Sequence, residues 1–215
     1  MRIFKRFSRK IGSWFKKNPD RFLDELKGVI HVGANVGQER DIYKHYNLDV
    51  IWVEPIPEVY ETLKKNLVAY DRQKSYQYLI TDKENETYDF HVADNSGLSS
   101  SIFDFKDHKD IWPGVGFERT ISLKSITLPT FLKKENINID KYDALVMDTQ
   151  GSELLVLQGA EEILSHFRYI KTEVPDFESY EGCCQIDDIQ KYLASLGFRE
   201  HARNLFATRR GSGHC

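Results

Sequence analysis

Short apolar runs alternate with stretches of helical spacing along most of the chain. Val29-Ile30-His31-Val32 is strand-sized and ends in Gly33-Ala34-Asn35-Val36-Gly37. Gln38 to Tyr46 suits a helix, and Val50-Ile51-Trp52-Val53 is a second apolar strand ending at Glu54. Pro57 to Ala69 places Val59, Leu63 and Leu67 on one helical face, and a third strand, Tyr76 to Ile80, ends at Thr81-Asp82. A β-α-β-α-β rhythm of this kind predicts a parallel sheet covered by helices.

The middle of the chain breaks the rhythm. Tyr88 to Ala93 alternates like a strand, Asp94-Asn95-Ser96-Gly97 is a turn, and Ser99, Ser100 and Ser101 follow in a row. Residues 104–118 are polar and aromatic with Pro113, Gly114 and Gly116, the composition of a mobile loop. Arg119 to Leu123 pairs as another strand. The rhythm resumes with Ala144 to Met147, a buried strand ending at Asp148. A helix over Glu153 to Leu164 follows, and then a fifth parallel strand, Tyr169 to Glu173. Ile186 to Leu196 is a helix stopped by Gly197, ahead of a terminal hairpin near Phe198 to Thr208. The expected fold is α/β: a mostly parallel sheet with helices on both faces and a C-terminal antiparallel hairpin.

Charge divides the chain. Residues 1–17 hold 7 of the 30 basic residues and no acidic one, which leaves 23 basic against 33 acidic residues over 18–215. The acidic body argues against nucleic acid as a partner, since phosphates call for clustered lysine and arginine. In the arm, Ile3, Phe4, Phe7, Ile11, Trp14 and Phe15 recur at helical spacing. Two readings of this amphipathic arm stand: a helix lying in an anionic membrane surface, and a helix packed on its own acidic domain. Asn18-Pro19-Asp20 reads as a helix start, so residues 18–215 form one domain behind the arm. With 40% hydrophobic residues and three cysteines, two of them adjacent, the composition is that of a globular chain in a reducing, cytoplasmic setting. No apolar run reaches the roughly 18 residues of a membrane span.

The chemistry gathers where strands end, the edge at which open parallel sheets bind ligands. Gly33 and Gly37 permit a tight turn and a close backbone approach. Glu54 lies 21 residues after Gly33, where a carboxylate grips ribose hydroxyls in nucleotide-binding units. Asp82 is placed to accept a hydrogen bond from an adenine amino group. Taken singly, each residue reads equally as a turn or a cap; at successive strand ends they favour an adenosine-containing ligand. Asn35 and Gln38 occupy the second and third glycine positions of the dinucleotide fingerprint, which disfavours a nicotinamide oxidoreductase. A sulfonium cofactor carries no phosphate and tolerates Asn35.

Ile30-His31-Val32-Gly33-Ala34-Asn35-Val36-Gly37-Gln38-Glu39 resembles the cofactor loop of the FkbM-type methyltransferases. Val53-Glu54-Pro55-Ile56-Pro57, Asn95-Ser96-Gly97-Leu98-Ser99-Ser100-Ser101 and Met147-Asp148-Thr149-Gln150-Gly151-Ser152-Glu153 resemble further motifs of that family, as do Glu173-Val174 and Tyr180-Glu181-Gly182. The resemblance spans about residues 27–200. It implies a Rossmann-like class I methyltransferase fold, S-adenosylmethionine as cofactor, and transfer to oxygen in sugars or natural products. Many members carry Asp at the position of His31 and Leu-Asp at Leu128-Pro129, so roles tied to those acids do not carry over.

The expected cofactor-binding residues are His31, Gly33, Asn35, Gly37, Glu54, Asp82, Ser100 and Asp148, and the expected catalytic residues are Asp148 and Glu173. Methyl transfer asks mainly for nucleophile and methyl in line at about 3 Å, and a hydroxyl nucleophile gains from a base. Asp148 is assigned to the cofactor's methionine end and Glu173 to substrate binding or base duty. Capping of the next helix is the competing role for Asp148, and a salt bridge for Glu173. Glu153 reads as a favourable charge in a first helical turn. His31 reads as a hydrogen-bonding core residue, and His91 and His108 as packing residues near the acceptor. Phe103, Phe105, Trp112 and Phe117 offer rings for a sugar or for lid packing. No convincing zinc spacing occurs, and a magnesium ion on Asp148, Glu173 and Asp176 lacks support. The expected acceptor is a small molecule, glycan or glycolipid-type hydroxyl. The competing reading is a non-catalytic module of the same fold.

Overall fold

In a computed structural model describing residues 1–6 and 21–204, the apolar runs become the strands of one sheet. The chain opens with β1 (Arg2–Arg6) and, after a 3-10 turn at Arg21–Glu25, enters β2 (Gly28–Val32). Then come α1 (Arg40–His45), β3 (Asp49–Val53), α2 (Pro57–Asn66), β4 (Gln73–Tyr76) and β5 (Leu79–Ile80). The middle supplies β6 (Thr87–Ala93), β7 (Phe117–Ile126) and α3 (Leu128–Lys134). The final third carries β8 (Ala144–Met147), α4 (Glu153–Gly159), α5 (Glu161–Leu164), β9 (Tyr169–Thr172), α6 (Ile186–Ser195) and β10 (Phe198–Arg203).

Seven strands pair in the order β10-β1-β9-β8-β2-β3-β4, and β5, β7 and β6 form a second, three-stranded sheet. The central strands β9, β8, β2, β3 and β4 run parallel. Both faces are covered, so their sequences are continuously apolar. Ile30, Val32, Ile51, Leu145 and Met147 pack on one face beneath α3, α4 and α6. Val29, Val50, Trp52 and Val146 pack on the other, with Tyr43 of α1 and Leu63 of α2. Each such buried side chain is worth roughly 1.5–3 kcal/mol of transfer free energy.

Strand order reverses at β2. The chain leaves β2 toward β3 and β4 on one side and returns as β8 and β9 on the other. Val32 is in register with Met147, and Met147 with Thr172. Gly33, Asp148 and Glu173 therefore leave the sheet side by side at the switch point, where a crevice opens.

Five expectations are corrected. The arm over residues 1–17 does not begin as a helix: Arg2–Arg6 is a strand between β9 and β10, antiparallel to both. The edge of β9 offers backbone groups that need partners, and Ile3 and Phe4 bury on opposite faces of the sheet. This first strand belongs to the main sheet. The remainder of the arm and the helix start at Asn18-Pro19-Asp20 lie outside the described residues. The C-terminal strand is antiparallel as expected, but its described partner is β1 from the far end of the chain. The third strand divides: Gln73–Tyr76 joins the main sheet, and Leu79–Ile80 pairs with β7 instead. The helix over Glu153–Leu164 breaks at Ala160. There Gly159 packs so closely that a Cβ would lie 2.2 Å from the Thr81 carbonyl oxygen. Residues 104–118 form no open loop, since Phe105 stacks on Phe117 at 3.9 Å and on His108 at 4.4 Å.

Candidate functional site

The turn after β2 is held by its own backbone. The Gly33 and Ala34 N–H groups both donate to the Val53 carbonyl, at 3.0 and 3.1 Å. Gly33 has φ +80°, and a Cβ there would lie 1.9 Å from the Asp148 carbonyl oxygen. Only glycine lets β2 and β8 leave the sheet this close together. Asn35, at φ 44°, turns its own N–H toward Glu54. Glu54 Oε2 accepts that N–H at 2.8 Å, and Oε1 accepts the Ile56 N–H at 2.9 Å. Burial pushes the Glu54 carboxyl up to about 7.

A cleft with about 800 Å³ of empty space, mouth included, opens over this turn, room for a nucleoside-sized ligand. His31, Gly33, Asn35, Glu54, Ser100 and Asp148 line it, so six of the eight expected cofactor residues share one cavity. Three of its wall residues, Glu39, Glu54 and Asp148, are acids, and none is a lysine or arginine. Gly37 is not on the wall: its missing Cβ makes room for Leu63 of α2. Asp82 is not there either, because the switch of the chain into the second sheet puts Tyr78, Leu79 and Ile80 on the wall instead. His31 stacks on Trp52 at 4.8 Å and sits 3.2 Å from the Tyr43 hydroxyl. Burial lowers it to about 4, so it is neutral at physiological pH.

Asp148 and Glu173 are neighbours in register but face different spaces. Asp148 lines the large cleft; Glu173 lines a smaller cavity of about 350 Å³ with His108, Trp112, Ser179 and Tyr180. Gln150 lines both. Its Nε2 donates to Asp148 Oδ1, and the Tyr180 hydroxyl lies 2.7 Å from its Oε1. Burial raises the Asp148 carboxyl, and burial together with the Asp148 charge raises Glu173.

Several residues of the site escape sequence reading. Gln150 stands inside a quoted motif, yet its partner Tyr180 is thirty residues away in the chain. Glu153 is no ordinary first-turn acid. At 1% exposure it accepts the Thr149 N–H at 2.9 Å and the Gly151 N–H at 3.0 Å, holding the turn after Asp148 in shape. The three serines are buried and committed. Ser99 faces His108 Nε2 at 3.0 Å, Ser100 accepts the Ala93 N–H at 2.9 Å, and Ser101 donates to the Gln150 carbonyl at 2.7 Å. His91 instead stacks on Phe117 and lines neither cavity. Leu128-Pro129 opens α3, with Thr127 as its cap. Among the described residues no group of three or more His, Cys, Asp or Glu is arranged to hold a metal, and no helix is long and apolar enough to cross a membrane.

Residues 31–200 match the family model described as the methyltransferase FkbM domain. The chain is also 29% identical over 176 residues to the 2-O-methyltransferase NoeI of Sinorhizobium fredii (strain NBRC 101917 / NGR234), a match covering 78% of this chain and 71% of that protein. No solved structure matches the chain.

Proposed function

Because the chain belongs to the FkbM methyltransferase family, we propose that it transfers the methyl group of S-adenosylmethionine to a hydroxyl of a carbohydrate, glycan or glycolipid-type acceptor. One observation carries this reading: a strand-end cleft walled by Glu39, Glu54 and Asp148 with no basic side chain. Such a wall repels the pyrophosphate of a dinucleotide and favours an adenosine that ends in a cation. When bound, S-adenosylmethionine supplies an electrophilic methyl on a positively charged sulfur.

The residues present fit that group. Gly33 and Asn35 leave room for adenosine against the turn, and each Glu54 oxygen keeps a lone pair for a ribose hydroxyl beyond the backbone N–H it already accepts. Asp148 faces the methionine end. Glu173, in the smaller cavity beside the Trp112 and Tyr180 rings, binds the acceptor and takes its hydroxyl proton. The rings suit the apolar face of a sugar, and the name of the 2-O-methyltransferase relative supports oxygen as the target. The buried free thiols Cys183 and Cys184 fit a reducing, cytoplasmic setting.

Calorimetric titration of the full chain with S-adenosylhomocysteine tests the cofactor assignment. Glu54→Ala should weaken binding tenfold or more while the far-ultraviolet spectrum stays unchanged. A folded wild-type protein that binds none would end the proposal.

A further inference from the structure

Asp148 and Glu173 follow the register pair Met147–Thr172, so their Cα atoms leave the sheet about 5 Å apart, the spacing of adjacent strands. The two carboxyls are unequally supported. Asp148 accepts the Gln150 side-chain N–H, whereas the Glu173 side chain accepts no hydrogen bond from the described residues and opens into the smaller cavity. Glu39, ahead of α1, adds its charge to both, and Glu153, at the head of α4, adds its charge to Glu173. The opposing charge acting on the pair is the amino group of Met1, ahead of β1. Among the described residues no lysine or arginine forms a salt bridge with any of the four acids. On the far side of the smaller cavity, His108 is 1% exposed with Nδ1 unpartnered, and burial keeps it neutral. Tyr180, with its phenol pushed upward by burial, is neutral too.

Two neighbouring carboxyls in a shielded cluster cannot both ionise cheaply, so the pair keeps a proton. The Gln150 donor stabilises charge on Asp148 and leaves that proton to Glu173. Resting on the donor reading above, we propose that Glu173 carries a proton in the free protein and releases it to solvent when a sulfonium donor occupies the cleft, so that the base is armed only once the donor is seated. Burial and the Asp148 charge both push Glu173 above the ordinary carboxyl range. A fixed cation about 4–6 Å from a carboxyl acts in the opposite sense, strongly enough to ionise it at neutral pH. The arrangement ties proton acceptance to donor occupancy and keeps a charged base out of the empty cavity.

Calorimetry at pH 7 in phosphate and in Tris, whose ionisation enthalpies differ, counts protons released per ligand bound. The ligands are S-adenosylmethionine, S-adenosylhomocysteine, whose thioether sulfur is uncharged, and sinefungin, which carries an ammonium where the sulfonium stands. The two cationic ligands should release at least about half a proton more than S-adenosylhomocysteine. In Glu173→Gln that excess should vanish while all three still bind. Equal release by the cationic ligands and S-adenosylhomocysteine in the wild type, a comparison needing no variant, overturns the inference, as does an excess that survives Glu173→Gln. Failure of all three to bind overturns the donor reading instead.

Discussion

Two glycines in the same turn do different work. A methyl group at Gly33 meets the Asp148 backbone at 1.9 Å, whereas at Gly37 it meets the Leu63 Cδ1 at 2.8 Å, the end of a side chain that can swing away. Both have positive φ, so alanine costs about 1 kcal/mol at either site from the backbone alone. Gly33→Ala adds a clash with a backbone that has nowhere to go. Its thermal midpoint should fall further than that of Gly37→Ala, and S-adenosylhomocysteine binding should be lost. Gly37→Ala should keep binding within a few-fold. Comparable binding by the two variants would show that close contact between β2 and β8 is not what shapes the cleft. Glu54 and Glu153 share a device at this scale, since each buried carboxyl holds a loop by accepting backbone N–H groups.

Among the elements, β1 is the one whose role could not be anticipated. It fills the space between β9 and β10, with Arg2 at 4% exposure paired to Glu200 at 3.2 Å. Phe4, 1% exposed, lies in the core cluster that also contains Ile170, Leu193 and Phe198. Truncating it removes a large buried ring, and Phe4→Ala should cost about 3–5 kcal/mol. Urea denaturation would measure this as a lowered midpoint at unchanged slope. A cost below about 1 kcal/mol would mean that β1 is dispensable to the sheet. The same burial removes Ile3 and Phe4 from the set of residues that a membrane surface could receive.

For the whole molecule, the buried carboxyls set a pH dependence. Burial pushes Glu54 and Glu153 up to about 7, and Asp148 and Glu173 rise as well. Above pH 6.5 Glu54, Glu153 and Glu173 are already ionised in the unfolded chain, while the folded protein still holds protons on them. The folded state therefore loses protons, and with them stability, as pH rises toward 8. His31 and His108, both lowered to about 4, act in the other direction. Their added stability is gained as pH rises from about 4 to 6.5 and is then complete. The thermal midpoint of the ligand-free protein should thus fall between pH 6.5 and 8, and Glu153→Gln should flatten the slope. A midpoint that rises over this window would contradict the assignment of protons to the buried acids.

Much of this architecture is legible along the chain. Strand-sized apolar runs, helical spacing and glycine-bearing turns depend on residues within a few positions of one another, and they are enough to locate Gly33, Asn35, Glu54 and Asp148 at strand ends. Pairing across long separations is a different matter. Arg2–Arg6 carries a spacing that suits a helix, yet it lies in the sheet because β9 and β10 both expose edges that need a partner. Asp82 follows an apolar run but leaves the cleft, because Leu79–Ile80 is captured by β7. Gln150 and Tyr180 meet only when two loops fold over the same strand ends. The division follows from the range of the forces. Propensity and turn geometry act through the nearest neighbours, whereas edge pairing, burial and the sharing of a proton between Asp148 and Glu173 depend on distances through space that only the folded chain sets.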